Sequence, residues 1–341
     1  MKKNILIINI LIILCSACNR IPKHATLIEN FPASCTLQGD SIRNFDNELG
    51  IMAILNAGNY FVCPSHRTDF HFAVYQKDNL QKVGEILPQG RGAGEFIAPA
   101  YFSQYKIESN ETKIWILEQA LNQYLKINLS KTILSDSLHI EKAYDLSSFK
   151  SYSYRDMYAI NEDLLFATRD DQDCKHTFLH LAEKQEQEID FSLPIPIHPY
   201  THYISQTIST KHPTMPYFVS AYFNLPQIDF INEQGIYKTI FYKEIIIPRQ
   251  ANMSQSEYEY FNCVCSDSNY VYALYNPYNA TEDTYLNTSE ILVFSWQGEP
   301  VQKYIIPFAT YICIDTENQR LYALNTQKET FNTTVYNLPD N

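Results

Sequence analysis

Short apolar and aromatic segments alternate along this chain with polar turns containing Asn, Asp or Gly, and apolar residues do not recur at a helical spacing. The two clearest segments, 263–274 and 313–324, align without a gap at positions fifty residues apart. Each contains an apolar stretch, a polar turn and an aromatic strand. Because aromatic and β-branched runs bounded by turn residues are typical of strands, this pattern predicts an all-β fold.

The same pattern recurs at 54–63, 107–117 and 160–168, and the double-length gap before residue 263 predicts a degenerate copy near 217–222. A second apolar strand follows each copy, at 72–75, 124–127, 178–181, 227–230, 291–294 and 333–336. Six units of about 50 residues, each with several short strands, are typical of a six-bladed β-propeller. The alternative is a pair of β-sandwiches in which the repeats arise by chance.

A single four-stranded blade has two apolar faces and unpaired edges, so blades must stack, and a ring leaves no end blade uncovered. The last copy stops near residue 338, with too few residues left for an outer strand. We therefore predict that the N-terminal segment 25–35 supplies that strand and closes the ring. Residues 25–341 then form one propeller, with no room for a second domain.

The first residues have the composition of a secretory signal. Two lysines precede an apolar run over 5–14, and small residues then lead into Cys18. The run is too short for a stable membrane span. Residues 1–17 are therefore predicted to be a signal peptide.

The string LCSAC at 14–18 resembles a bacterial lipobox, with Cys15 where Leu is usual. This resemblance implies that Cys18 is lipidated and begins the mature chain, with 18–24 as a tether to the lipid bilayer. The alternative is a soluble secreted protein cut by ordinary signal peptidase. Residues 19–23 have neither an acidic cluster nor an Asp next to Cys18, which by the same resemblance favours the periplasmic face of the outer membrane.

Composition narrows the classes of partner. The formal net charge is −12, and a nucleic-acid binder would need a basic patch or stripe, so we expect no nucleic-acid partner. The chain has 26 Tyr and 19 Phe, which favours an aromatic β-rich core.

Cysteine spacing indicates no dense disulfide framework. Besides Cys15 and Cys18, the chain contains Cys35, Cys63, Cys174, Cys263, Cys265 and Cys313. Cys263 and Cys265 share one face of a predicted strand, but a soft-metal site needs further ligands, and none lies nearby in sequence. We expect buried apolar cysteines and no metal or cofactor.

The most distinctive string is GRGAGEF at 90–96, followed by Pro99. The residues that carry the family resemblance are Gly90, Arg91, Gly92, Gly94, Glu95 and Phe96. With the lipobox and the six-unit repeat, it resembles the TolB-like six-bladed β-propeller lipoproteins of Bacteroides-type bacteria, in which Pro stands where this chain has Ala93. The resemblance implies a fold and a lineage but no activity. Residues 97–100 predict no helix, so we interpret the string as a connection between blades, with Arg91 or Glu95 tying neighbours together, and not as a phosphate-binding loop.

No catalytic constellation is recognisable. There is no G-x-S-x-G string, and the histidine pairs His176/His180 and His198/His202 are interpreted as solvated or edge residues. Calcium could be held in the central channel by oxygen ligands. The candidates for that role are Asp69, Glu95, Asp170, Asp171, Asp229, Asp267 and Asp315, although most lie in strings where Asp caps a turn.

Aromatic residues near the fifth unit raise the question of a stacking platform for sugars or peptides, although most such side chains fill the space between blades. They are Tyr258, Tyr260, Phe261, Tyr270, Tyr272, Tyr275, Tyr278 and Tyr285. We expect a non-enzymatic binding or scaffolding lipoprotein for a protein or glycan ligand. The alternative is a calcium-dependent hydrolase or lyase acting in the central channel.

Overall fold

Six sheets follow one another along the chain in a computed structural model that describes residues 25–42, 51–65, 69–135, 137–149, 153–170, 175–189, 204–245, 258–279, 286–326 and 332–339. Each sheet is a blade built mainly from four consecutive antiparallel strands. The predicted signal peptide 1–17 and tether 18–24 lie outside the described residues.

The N-terminal segment and the first three blades contain the following elements. The segment contributes β1 (Ala25–Ile28), β2 (Ser34–Thr36) and β3 (Gly39–Ile42). Blade 1 consists of β4 (Leu55–Ala57), β5 (Tyr60–Pro64), β6 (Phe70–Gln76) and β7 (Lys82–Pro88). Blade 2 consists of β8 (Pro99–Glu108), β9 (Glu111–Glu118), the 3₁₀ helix Gln119–Leu121, β10 (Gln123–Asn128), helix α1 (Leu129–Ser135) and β11 (Ile140–Asp145). Blade 3 consists of β12 (Tyr154–Ala159), β13 (Leu164–Arg169), β14 (His176–His180) and β15 (Gln185–Ile189).

The last three blades repeat the same order. Blade 4 consists of β16 (Thr207–Lys211), β17 (Phe218–Tyr222), β18 (Gln227–Asn232) and β19 (Gly235–Tyr242). Blade 5 consists of β20 (Tyr258–Ser266), β21 (Tyr270–Asn279), β22 (Thr288–Ser295) and β23 (Pro300–Pro307). Blade 6 consists of β24 (Tyr311–Asp315), β25 (Arg320–Asn325) and β26 (Asn332–Asn337).

Alternate residues of one strand enter two different cores, because successive side chains of a strand point to opposite faces. In β21, Val271, Ala273 and Tyr275 pack against blade 4, whereas Tyr272 and Leu274 pack against blade 6. In the described residues, an apolar cluster lies between every pair of neighbouring blades. The ring is thus a six-bladed β-propeller, and the predicted fold class is confirmed.

The sequence repeat predicted the positions of the strands as well as the number of blades. The aromatic strand of each copy is the second strand of a blade, and the degenerate copy predicted near 217–222 is β17. The second apolar strand predicted after each copy lies on the third strand of the same blade. Helix α1, for which no helical spacing was evident, is an addition to blade 2.

Ring closure by an N-terminal strand is confirmed, but the closing strand is not in 25–35. Strand β3 pairs antiparallel with β26 and is the outer strand of blade 6. Strands β1 and β2 instead add parallel fifth strands to the outer edges of β19 and β23. The segment therefore runs along three successive blades, because each outer edge offers unpaired backbone groups.

A buried ion pair lies where blade 6 meets blade 1. Lys77 Nζ lies 3.2 Å from Asp315 Oδ1, and the two side chains are 3% and 0% exposed. Asn318 Nδ2 donates to the second oxygen of the Asp315 carboxylate at 2.8 Å. Such a pair needs both partners, because removing one leaves an uncompensated buried charge.

None of the helices in the described part of the chain has both the length and the apolar content needed to cross a bilayer.

Adding one methyl group to the closing strand β3 should weaken its pairing with β26. A Cβ at Gly39 would lie 2.6 Å from Val335 O, a backbone atom that cannot move away without disturbing β26. We expect Gly39→Ala to lower the free energy of unfolding by about 1–3 kcal/mol, as overpacking does. Chemical denaturation would measure the change.

The matched control is Gly84→Ala on β7, another outer strand, where the nearest atom to the added Cβ is Ile133 Cγ1 at 4.0 Å. This variant should be as stable as the wild type or slightly more so. Equal stabilities for the two variants would contradict the closing role of β3.

Candidate functional site

The innermost strands of the six blades surround a cavity of about 570 Å³ on the ring axis. Residues of all six strands β4, β8, β12, β16, β20 and β24 line it. This volume lies within the range of about 300–1,000 Å³ that is usual for small-molecule sites. It is the candidate functional site, and we call it the central cavity.

Side chains tie the innermost strands to one another around the cavity. Each innermost strand has one edge without a strand partner, so its backbone groups there need other partners. In the described residues, every junction between blades has a side chain that donates to an innermost-strand carbonyl of the neighbour. The bonds are Tyr101 Oη to Asn56 O (2.8 Å), Gln104 Nε2 to Ala159 O (2.6 Å), Tyr158 Oη to Ser209 O (2.5 Å), Ser266 Oγ to Lys211 O (3.1 Å), Cys263 Sγ to Ile312 O (3.4 Å) and Asn56 Nδ2 to Ile314 O (2.8 Å).

Tyrosines form much of the cavity wall. Tyr101, Tyr105, Tyr158 and Tyr311 come from blades 2, 3 and 6. Tyr311 packs against three separate interblade clusters, so its ring lies across the inside of the propeller. Burial raises the pKa of Tyr105 to about 12, and the nearby Glu317 carboxylate adds to the shift. The walls are therefore aromatic and carry neutral phenols at physiological pH.

The three thiols of Cys263, Cys265 and Cys313 also line the cavity. All three are free, and Cys263 and Cys313 are buried while Cys265 is half-buried. Burial raises the pKa of Cys263 to about 12 and raises the pKa of the other two thiols as well. Since the thiolate is the form that attacks and ligates, burial disfavours reaction at these three thiols. Cys263 and Cys313 are buried as expected, whereas Cys265 is half-buried.

Asp156 is a buried carboxyl group in the cavity wall, only 5% exposed. Ser209 of blade 4 hydrogen-bonds to it, while its Oδ2 has no hydrogen-bond partner. Burial raises its pKa from 3.8 to about 7, and the bonds from Ser209 and the charge of Arg155 oppose this shift. Arg155 itself pairs with Asp170 at 2.7 Å.

The cavity reaches the surface where turns follow the innermost strands. We call this side of the propeller the turn face. Its exposed lining residues there are Pro213, Ser268, Thr316 and Glu317. Lys211 lies just inside, where its ammonium donates to His212 O at 2.7 Å and burial lowers its pKa to about 8. Glu317, which is exposed, gives the rim a negative charge.

The carboxylates considered for calcium do not meet in the cavity. Asp315 pairs with Lys77, and Asp267 accepts from two backbone N–H groups of its own turn. Asp229 accepts from Tyr222, Gln227 and Thr239 inside blade 4. Asp170 pairs with Arg155, Asp69 and Glu95 lie in blade 1 and its following loop, and Asp171 lies outside the described residues. Within the described ranges, no three His, Cys, Asp or Glu side chains come together in a way that could hold a metal ion.

The expectation of a solvated or edge histidine is wrong for His176, and His212 is buried as well. His176 is 1% exposed and shares a 3.0 Å hydrogen bond with Thr168, and burial lowers its pKa to about 4. His212 is 2% exposed, and its ring holds the turn after β16 by accepting from the Met215 N–H. The pair His198/His202 lies outside the described residues.

The aromatic residues near blade 5 are mainly core. Tyr260, Phe261, Tyr272 and Tyr275 are buried, and Tyr285 lies outside the described residues. Tyr258 is 37% exposed and stacks on Tyr260 with ring centroids 6.3 Å apart. Tyr270 and Tyr278 are half-buried, so most described members of this set pack in the core, as favoured over a stacking platform.

The GRGAGEF string forms the connection between blades 1 and 2. Gly90 N–H donates to Phe96 O at 3.1 Å, and Phe96 N–H donates to Pro88 O at 2.8 Å, so the loop closes on itself. The Glu95 carboxylate accepts from Gly92 N–H at 2.6 Å within the loop. Gly90 has a φ of 154°, a backbone conformation that favours glycine. The exposed members of the loop are Arg91, Gly92, Ala93 and Gly94.

Other residues fasten this loop to the blades. Phe96 is 5% exposed and packs in the cluster between blades 1 and 2, and His71 Nε2 donates to its carbonyl at 2.9 Å. The Glu118 carboxylate accepts from the N–H groups of Ile97 and Ala98, both at 3.1 Å. The loop thus supports the junction, and it does not line the central cavity.

Comparison with known proteins agrees with this architecture. The sequence matches no protein-family model, and no curated protein matches it. Its structure is similar to that of a DUF4221 family member from Bacteroides vulgatus, with a TM-score of 0.52 and 13% identity over 85% of this chain and 92% of that one.

Two further structures have lower scores. The β-propeller domain of Cps50 (Swd1) from Myceliophteria thermophila gives a TM-score of 0.41 and 10% identity, over 92% of this chain and 100% of that one. A functionally unknown protein from Desulfotomaculum acetoxidans gives 0.42 and 9%, over 79% and 73%. The Bacteroides likeness supports the propeller fold, and its identity is too low to carry a function.

Asp156 should make the stability of the propeller depend on pH. Its folded pKa of about 7 exceeds its ordinary value of 3.8, so the folded state holds this proton more tightly. Its favourable contribution is complete below about pH 4 and is lost as pH rises to about 7, at about 1.4 kcal/mol per unit. We expect Asp156→Asn to gain stability over the wild type between pH 5 and pH 8, as measured by urea denaturation. A constant difference across that range would show that Asp156 is not protonated in the folded state.

Proposed function

We propose that this chain is a lipid-anchored binding protein of the cell envelope, with no catalytic activity of its own and with the central cavity as its ligand site. The observation that carries the proposal is the 570 Å³ cavity with tyrosine walls that reaches the surface at the turn face. A preformed, largely apolar cavity with few convergent polar groups is the usual form of a small-molecule site.

The absence of a recognisable reactive group among the described cavity residues supports binding over catalysis. The thiols are held in their protonated form by burial, and the phenols likewise. The hydroxyl and amide groups of Tyr101, Gln104 and Tyr158 already serve the junctions between blades. Ser209, the hydroxyl that hydrogen-bonds to Asp156, also bonds to Ser220 Oγ at 2.8 Å, so it is held in the junction between blades 3 and 4.

The anchor rests on the sequence. The lipobox-like string at 14–18 places an acylated Cys18 at the start of the mature chain, seven residues before β1 begins at Ala25. By resemblance to the TolB-like propeller lipoproteins, we place the protein at the periplasmic face of the outer membrane. Calcium-dependent hydrolysis in the same cavity is the competing function, and the binding experiment below distinguishes the two.

The binding function can be tested by native mass spectrometry. The mature protein is incubated with an envelope extract in the presence of calcium, re-purified and examined for a retained small molecule. We expect one ligand per chain, recovered chemically unchanged. Thr316→Trp should abolish retention, because the indole would cover the exposed mouth beside Glu317.

Asp163→Trp is the matched control, since Asp163 lies on an exposed turn of blade 3 on the same face and outside the cavity wall. It should retain the ligand. A ligand that is converted only when calcium is present would instead establish the hydrolase or lyase. Equal retention by both tryptophan variants would place the ligand elsewhere on the propeller.

The anchor is tested separately in cells fed an alkyne-modified fatty acid. The wild-type protein should carry the label and partition into detergent, and Cys18→Ser should lose both properties because the acylated sulfur is gone. Cys35→Ser, which changes a half-buried thiol of β2, should keep the label. A wild-type protein without label would refute the lipid anchor.

A further inference from the structure

Three basic side chains line the described part of the central cavity: Arg155, Lys211 and His212. Two of them are already committed to the protein. Arg155 Nη2 pairs with Asp170 at 2.7 Å, and its Nε has almost no accessible surface. His212 is 2% exposed, and both of its ring nitrogens bond to backbone groups. Lys211 is therefore the basic group of this wall that a ligand can meet.

The Lys211 ammonium has no countercharge among the described residues. Lys211 is the last residue of β16, and its side chain is half-buried. Its Nζ donates to two neutral carbonyls, His212 O at 2.7 Å and Met215 O at a longer 3.4 Å. Burial lowers its pKa to about 8, and no described carboxylate opposes that shift. Because an ammonium has three donors, Lys211 keeps capacity for a further acceptor, and a partly desolvated charge favours one that is negative.

The carboxylates of the same wall do not supply that negative charge. Asp267 accepts from its own turn and from Tyr272 Oη. The Oδ2 of Asp156 has almost no accessible surface, so no ligand group can pair with it. Glu317 belongs to blade 6, with blade 5 between it and Lys211, and it is exposed to solvent. An exposed charge interacts weakly, whereas a partly buried one interacts more strongly, so the position beside Lys211 is the stronger one for a charged ligand group.

The rest of the wall suits an apolar ligand body. Tyr101, Tyr105, Tyr158 and Tyr311 present aromatic surface to the cavity. The hydroxyls of Tyr101 and Tyr158 already donate to strand carbonyls of neighbouring blades. A sugar, which carries polar groups all round, would find few free partners here. The arrangement favours a ligand with one negative end near the turn face and an apolar remainder deeper in the cavity.

We propose that the central cavity binds a small monocarboxylate with an apolar body, its carboxylate held by the Lys211 ammonium and its body held by the tyrosine walls. This rests on the proposed function of the cavity and names its ligand class. The carboxylate supplies the acceptor and the charge that Lys211 lacks, whereas an amine would bring a second positive charge to it. The formal net charge of −12 acts on all anions alike, and salt at 0.1 M screens it beyond about 10 Å, so contact with the ammonium selects the ligand.

The test uses three probes of matched size that differ in their polar end: 3-phenylpropionate, 3-phenylpropanol and 3-phenylpropylamine. Titration calorimetry of the mature protein is run at pH 7, below the pKa of Lys211, so that the ammonium is charged. We expect the carboxylate to bind about 10- to 100-fold more tightly than the alcohol, because both partners of its hydrogen bond are ionised. The amine should bind no more tightly than the alcohol.

Lys211→Met removes the charge and keeps an unbranched apolar side chain, so it should reduce carboxylate affinity to the level of the alcohol and leave alcohol affinity nearly unchanged. Lys211→Arg keeps the charge and should keep most of the preference. Lys184→Met is the matched control, because Lys184 lies on an exposed turn of blade 3 outside the cavity wall, and it should bind like the wild type. Melting temperatures of the three variants establish that they are folded.

The outcomes separate this inference from the proposed function. Equal affinities for carboxylate and alcohol in the wild type, or an unchanged preference in Lys211→Met, would overturn the carboxylate class while leaving the cavity as a binding site. If no probe binds although the envelope ligand is still retained, the carboxylate class again fails alone. If neither the probes nor an envelope ligand bind, the proposed function fails with it.

Discussion

The structure depends on how the six innermost strands satisfy the backbone hydrogen-bonding groups on their inward edges. Each of these strands pairs with one neighbour in its own blade, and its other edge faces the ring axis, where no strand can follow. An unpaired backbone carbonyl there has to find a donor, since burial without one is costly. Here the donors are side chains of a neighbouring blade, such as Tyr101 and Tyr158. The polar residues of the cavity are thus first of all parts of the framework.

Sequence reasoning predicted the fold well because the middle strands of each blade are buried on both faces. A strand such as β21 reads as a continuous apolar and aromatic run, and such runs recur once per blade. The placement of the N-terminal strands was less predictable, because β1, β2 and β3 are short edge strands with exposed side chains and little apolar signal. Helix α1 was missed for a similar reason. Its seven residues are too few for a helical spacing to show, although Asn128 caps it by accepting from Lys131 N–H.

The site was much harder to predict than the fold. Cavity residues come in short runs of two to five from six strands that lie far apart in sequence, so no local motif contains them. Among the Asp residues singled out, Asp267 caps its own turn, and Asp315 and Asp170 pair with lysine and arginine. Asp156, which lies in β12, carries no local sequence signal. The most conspicuous string, at 90–96, supports a junction between blades. The conspicuous string here marks a tight connection in which Gly90 and Gly94 have positive φ.

The path of the N-terminal segment has a consequence for the order of folding. Ala25 pairs with Thr239, Ser34 with Lys303 and Gly39 with Tyr336, so the first strands of the propeller find their partners among the last blades made. During synthesis these strands must wait, unpaired, until blades 4, 5 and 6 have been made. Contacts of such long sequence separation are slow to form, and waiting strand edges invite pairing with other molecules. The ring is consequently completed in one late step, and chaperones that shield extended segments would matter most at its N-terminus.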